Sequence, residues 1–259
     1  MDTDPVLLEV RDGVAHVTLN RPETGNALDI PVSRALLGRL RQVAADETAR
    51  VVLLTGQGRA FCAGGDLRSM QAAADRGAYV LELAQAAHAA VRGLAALDKP
   101  VVTAVQGSAA GAGLSLVLLS DLVLAAPDAV FITAYTAVGL TPDCGQSWLL
   151  PRAVGTTRAL DLLLTSPAVA APEAHALGII SRVAAQGSVF AEAEALALKL
   201  ARGPATALGQ ARALVRSGQA DGFDAHLDRE AETIARMAAT PMAGTLIGAF
   251  LARRSNSRN

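Results

Sequence analysis

The sequence predicts an α/β fold with a mainly parallel sheet, followed by a region made only of helices. Three observations carry this reading. Short apolar runs alternate with segments of helical spacing through residues 1–190. Two of those runs end in glycine-rich turns, at 61–67 and 107–115. From Phe190 onward the chain turns to Ala-rich helical segments broken at Gly203-Pro204, Gly218 and Pro241. Alternation of strand and helix favours parallel pairing with both sheet faces covered. The expected division is a core domain, 1–190, and a C-terminal helical region, 191–259, that packs on the core or on another subunit.

Taken in order, Val6–Val10 and Val14–Leu19 flank Arg11-Asp12-Gly13, a hairpin signal. Asn20-Arg21-Pro22 ends the second strand. Ile30–Ala45 has helical spacing, with Val32, Leu36, Leu37, Leu40 and Val43 apolar. Strand Val51–Thr55 leads into the first glycine turn, and Asp66 is placed to cap a helix over Leu67–Ala74. Ala78–Leu97 reads as a long helix stopped by Asp98-Lys99-Pro100. Strand Val101–Val105, the second turn, helix Leu114–Leu119 and strand Leu122–Ala125 follow. Val130–Ile132 and Gly178–Val183 are further strand candidates.

Composition narrows the function classes. With 51% hydrophobic but only 3% aromatic residues, the core must be built from Ala, Leu and Val. A formal net charge of -1 gives no electrostatic draw toward nucleic acid or an anionic membrane. Cys62 and Cys144 are too few for a disulfide scaffold, which suits a reducing cytoplasm, the expected location. Met1–Pro5 is acidic without an apolar stretch after it, so no secretory signal is expected. The apolar segment Val101–Ala126 contains Gln106, three glycines and Asp121, and is expected to be strand, turn, helix and strand rather than a membrane span.

The chemistry sits in the two turns, Phe61-Cys62-Ala63-Gly64-Gly65-Asp66-Leu67 and Gly107-Ser108-Ala109-Ala110-Gly111-Ala112-Gly113-Leu114-Ser115. Glycine lets backbone approach a ligand closely, and a helix N-terminus leaves unpaired, slightly positive N–H groups. Two such turns brought together would aim two donors at one carbonyl oxygen, an oxyanion hole. Neither turn has the spacing of a phosphate-binding or dinucleotide-binding loop. Cys62 and Cys144 read as small core or loop residues rather than nucleophiles, and no histidine has the companion for a nucleophile–base pair at a recognisable spacing.

Asn20-Arg21-Pro22, Asn26-Ala27-Leu28, Ala60–Leu67, Lys99-Pro100-Val101-Val102 and Gly107–Leu114 together resemble the crotonase (enoyl-CoA hydratase/isomerase) family, in order from about Val6 to about Val183. The resemblance implies a ClpP-like spiral of ββα units, a helical C-terminal region, self-association as a homotrimer or hexamer, and an acyl-CoA thioester ligand. No separate cofactor and no metal are implied, because coenzyme A arrives as part of the substrate. It also implies that the N–H groups of Gly65 and Ala112 hold the thioester oxygen. Ala27, Ala63, Gly64, Asp66 and Leu67 would contact coenzyme A, and in the tail Phe250 and Arg253 are candidates for its adenine and phosphate. Ordinary helix-end roles remain the alternative for those two.

Departures from the family pattern are informative. Family hydratases use two glutamates, at positions that here hold Ser115 and Tyr135, and no glutamate occurs between Glu82 and Glu173. Neither a serine nor a tyrosine, whose ordinary pKa is about 10, is a good base at neutral pH. The Gly139–Gly145 and Trp148–Arg152 segments resemble instead the isomerase branch, most closely its 1,2-epoxyphenylacetyl-CoA isomerase-like part, in which an acid at the Asp143 position works alone. Ser115 and Tyr135 would then line the pocket. Asp143 is also open to a simpler reading, as a Pro-Asp turn residue bonding its own backbone. His88 stands where a dehalogenase branch of the family has a histidine, or else is a packing residue. Hydratase-like activity, dehalogenase-like activity and a non-catalytic CoA-ester-binding protein are the alternatives kept.

Overall fold

The computed structural model describes residues 4–218 and 222–256, with side chains through Leu251. It opens with the antiparallel hairpin β1 (Val6–Arg11) and β2 (Val14–Leu19). Asp12 and Gly13 turn it with φ of 51° and 79°, the left-handed pair that a two-residue hairpin demands. Helix α1 (Ile30–Ala45) starts where Asp29 accepts the Val32 N–H, and buries Val32, Leu36, Leu40 and Val43 along one stripe. Then come β3 (Val51–Gly56), α2 (Leu67–Ala72), α3 (Arg76–Ala95), β4 (Val101–Val105), β5 (Ser108–Ala110), α4 (Ala112–Leu119), β6 (Leu122–Ala125) and β7 (Val130–Ile132). The second half holds α5 (Gln146–Val154), α6 (Thr156–Thr165), β8 (Val169–Ala170), α7 (Ala171–Ala176) and β9 (Arg182–Val183). Helices α8 (Val189–Ala201), α9 (Ala205–Ser217), α10 (Phe223–Ala238) and α11 (Pro241–Asn256) complete the described chain.

The main sheet has the order β1-β2-β3-β4-β6-β9 and is parallel from β2 onward. Its central strands are buried on both sides, as their continuous Val and Leu runs require. Helix α8 packs on β3, β4 and β6, and α1 packs on β1 and α3. A second sheet, β5-β7-β8, stands apart from the first. Its strand β5 lies inside the segment read from sequence as a turn. Ser108–Ala110 is too short and too weak in β-propensity to be legible alone, and it is held by pairing with β7, 22 residues on. The strand expected over Gly178–Val183 shrinks to Arg182–Val183. Ile179 and Ile180 instead bond back to the Ala174 carbonyl, closing α7 through Gly178 at φ 82°.

One charged cluster ties the helical tail to the sheet. Arg212 of α9 is buried and donates to Asp121 at 2.7 Å and to the carbonyls of Leu94, Ala95 and Leu97 at the end of α3. Asp121 also accepts from Arg216 and from the Val101 N–H where β4 begins. No single helix among the described residues is long and apolar enough to cross a membrane.

Candidate active site

The first turn is fixed from below by a buried amide. Asn26, with no exposed surface, donates from Nδ2 to the carbonyls of Gln57, Ala60 and Phe61 and accepts the Arg21 N–H at Oδ1. The two turns then pair with each other. Cys62 N–H donates to Ser108 O at 3.1 Å, and Ala110 N–H donates to Cys62 O at 2.9 Å. They touch so closely that a Cβ on Gly113 would lie 2.3 Å from Cys62 O, and one on Gly64 would lie 2.9 Å from Ala110 O.

This contact positions two donors. Gly64 O and Asp66 N–H both bond Leu28, so by strand alternation the Gly65 N–H faces away from Leu28. Ala112 is the first residue of α4, where an N–H has no intrahelical partner. Neither N–H makes a hydrogen bond among the described residues. Both residues line one cavity of about 420 Å³, whose walls are mostly apolar and include Leu28, Met70, Val80, Leu83, Val138 and Leu140.

Asp143 supplies the one carboxylate among the described residues lining this cavity. It sits in the loop before α5, and its Oδ1 accepts the Tyr135 hydroxyl. Its Oδ2 lies 3.6 Å from His88 Nε2. The Asp143 carbonyl accepts the Gln146 N–H at 2.9 Å, so this is a turn as well as a site. Its side chain nonetheless bonds Tyr135 rather than its own backbone. Burial, reinforced by the neighbouring Asp143 charge, drives the Tyr135 phenol far above its ordinary value, so it stays an O–H donor.

His88, on α3, accepts the Cys144 N–H at Nε2 at 3.0 Å. That bond assigns the proton of the neutral ring to Nδ1. Burial pushes the Cys144 thiol up, with Asp143 adding to it, and pushes Cys62 from 9.0 up to about 12. Neither is a thiolate at neutral pH. Ligand atoms of His88, Asp143 and Cys144 fall within 4.8 Å of one another. As a metal centre this set fits poorly, since Nε2 is already taken by an N–H, Oδ1 by Tyr135, and the thiol holds its proton.

The other expected residues are distributed as follows. Ala63, Gly64, Leu67 and Tyr135 line the cavity. Asp66 caps α2, accepting the N–H groups of Arg68 and Ser69. Ser115, expected in the pocket lining, has no exposed surface and lies behind the turn, where its hydroxyl meets Gly111 O at 3.5 Å. Ala27 is buried beside Leu28 and is not part of the wall. Phe250 is exposed on α11, and the Arg253 side chain lies outside the described residues.

The family model for enoyl-CoA hydratase/isomerase matches residues 9–255. The chain belongs to this family. It is 39% identical over 254 residues to the 1,2-epoxyphenylacetyl-CoA isomerase of Escherichia coli (strain K12), covering 96% of each chain. A 4-chlorobenzoyl coenzyme A dehalogenase of Arthrobacter sp is 28% identical, over 97% of this chain and 92% of the other. The crystal structure of an enoyl-CoA hydratase from Mycobacterium smegmatis superposes with a TM-score of 0.90 at 33% identity, covering 96% of each chain. The crotonase fold expected from the motifs is therefore the fold observed. As a member of the enoyl-CoA hydratase/isomerase family, this chain is an acyl-CoA enzyme.

Three polar residues that shape this crotonase site have weak sequence signals. Apart from the resemblance, Asn26 is marked by following Gly25 before an apolar pair, and His88 by interrupting an Ala-rich helix. Gln146 carries no local signal, because its partner lies 35 residues away.

Proposed function

We propose that this chain shifts a double bond in an unsaturated acyl-CoA, with Asp143 as the single acid–base and the Gly65 and Ala112 N–H groups holding the thioester oxygen. The observation that carries the reading is the solitary carboxylate in an apolar cavity that also contains both free N–H groups. Asp143 takes a proton beside the unsaturation. The resulting dienolate places its charge on the thioester oxygen, where the two N–H groups stabilise it. The same carboxyl then returns the proton two carbons along. Adding water would require a second group to orient and deprotonate it, and Ser115, enclosed behind the turn, does not reach the cavity. The name of the Escherichia coli relative supports a ring-derived acyl group as one substrate class. Coenzyme A enters with the substrate, and no separate cofactor is needed. Exposed apolar side chains on α10 and α11, among them Phe223, Ile234 and Ile247, support self-association as a trimer or hexamer.

The direct test is a panel of 3-enoyl-CoA and 2-enoyl-CoA esters. Conversion of the former to the conjugated thioester, with no 3-hydroxyacyl-CoA from the latter, is the expected result; hydration of the 2-enoyl esters at a comparable rate would refute it. A second test concerns Tyr135. Its hydroxyl donates to Asp143 Oδ1 and so fixes the orientation of the carboxylate. In Tyr135→Phe that bond is lost and the carboxylate is no longer held toward the cavity, so kcat falls about 10-fold, the worth of one hydrogen bond to a charged group, while KM stays within about threefold. An unchanged kcat would separate Tyr135 from the positioning of Asp143.

A dehalogenase-like second reading draws on His88 lying 3.6 Å from Asp143. In that reading Asp143 attacks the ring and His88 deprotonates the water that frees the product. The Nε2 lone pair, however, already accepts the Cys144 N–H, so the isomerase reading is preferred. Chloride release from 4-chlorobenzoyl-CoA would reverse the preference.

A further inference from the structure

Behind the oxyanion turn lies a buried amide that the chemistry above does not use. Gln146, the first residue of α5, has no exposed surface. Its Nε2 donates to Gly111 O at 3.0 Å, its Oε1 is buried without a partner among the described residues, and its backbone N–H bonds the Asp143 carbonyl at 2.9 Å. Gly111 O belongs to the same peptide unit as the Ala112 N–H. That unit is planar and trans, so its C=O and N–H point in opposite directions. Whatever grips the carbonyl from inside therefore aims the N–H on the cavity side. Gly111 sits at φ 51° and ψ −120°, and a glycine there has little intrinsic resistance to rotation of its peptide plane. The Gly111 N–H is anchored on Ile132 O at 3.0 Å, while its carbonyl is shared by the Ser115 N–H at 3.1 Å and the Gln146 amide.

We infer that Gln146 is a positioning residue: by holding Gly111 O it fixes the direction of the Ala112 N–H, and through its own backbone it ties that donor to the segment carrying Asp143. A hydrogen bond accepted by the carbonyl also polarises the peptide and strengthens its N–H as a donor. The inference rests on the assignment of Ala112 as a donor to the thioester oxygen.

The test uses the full chain, a saturated acyl-CoA labelled with 13C at the thioester carbonyl, and isotope-edited infrared spectroscopy. In the unaltered protein, binding moves the carbonyl stretch to lower wavenumber. In Gln146→Met, which keeps length and loses the donor, at least half of that shift is lost. Turnover falls about 10- to 100-fold, less than the 10²–10³ typical of deleting a donor outright, and KM stays within about threefold. Gln146→Asn keeps the amide but falls one methylene short of Gly111 O, and gives the same pattern should the methionine variant fail to fold. A full carbonyl shift and unchanged kcat in either folded variant overturns the inference. Absence of any shift in the unaltered protein overturns the Gly65 and Ala112 assignment itself, and the two failures are thereby told apart.

Discussion

Asp143→Asn lowers turnover of a 3-enoyl-CoA by about 10²–10⁴-fold, the usual contribution of a positioned acid–base group, while the Kd of the acyl-CoA ester changes by less than about threefold. The substitution is nearly isosteric, and an asparagine oxygen still accepts the Tyr135 hydroxyl that now bonds Oδ1. What is lost is an oxygen able to take up and release a proton. Binding should survive because the apolar wall and the Gly65 and Ala112 N–H groups are untouched. Steady-state kinetics and calorimetry on the same preparation separate the two quantities. A variant with unchanged kcat removes Asp143 from the mechanism, and one that loses binding and kcat equally makes it a structural residue of the wall.

Gly113→Ala disables the site by another route. The new Cβ would lie 2.3 Å from Cys62 O and 2.8 Å from Cys62 Cβ. The obstructing oxygen belongs to the backbone and is itself bonded to the Ala110 N–H, so it cannot swing aside as a flexible side chain would. Helix α4 must withdraw by roughly 1 Å, and Ala112 moves with it. A misplacement of that size costs on the order of 10²-fold in rate. Overpacking of a filled interior adds about 1–3 kcal/mol of destabilisation, a fall in Tm of several degrees at about 2–4 °C per kcal/mol for a chain of this size. Both effects should appear together in a kinetic and thermal-melt comparison. Wild-type kcat together with a wild-type melt would show that the two turns are not in register-setting contact.

Periodicity carried much of the fold. Helix α1 begins at Ile30 and ends at Ala45 as its apolar spacing requires, and β4, β6 and β7 have the bounds their apolar runs predict. Elements stabilised by distant partners were not legible. Strand β5 is three small residues that need β7, and α5 carries Pro151 within it, which argues against a helix when read locally. The site divides in the same way. Glycine turns announce themselves by composition, whereas their juxtaposition depends on the Cys62–Ser108 and Ala110–Cys62 bonds across 46 and 48 residues of sequence. Ser115 sits on the inner face of α4 because that helix is buried on nearly every side, leaving no apolar–polar contrast to indicate which way a residue faces.

The Tyr135–Asp143 bond has a stereochemical consequence. With Oδ1 occupied by the phenol, Oδ2 is the oxygen left, in the proposed double-bond shift, to exchange a proton with the substrate. A single oxygen on one wall reaches a flat dienolate from one side only. Under that proposal proton removal and return are suprafacial, and in deuterium oxide the label would enter one face of the prochiral carbon that receives it.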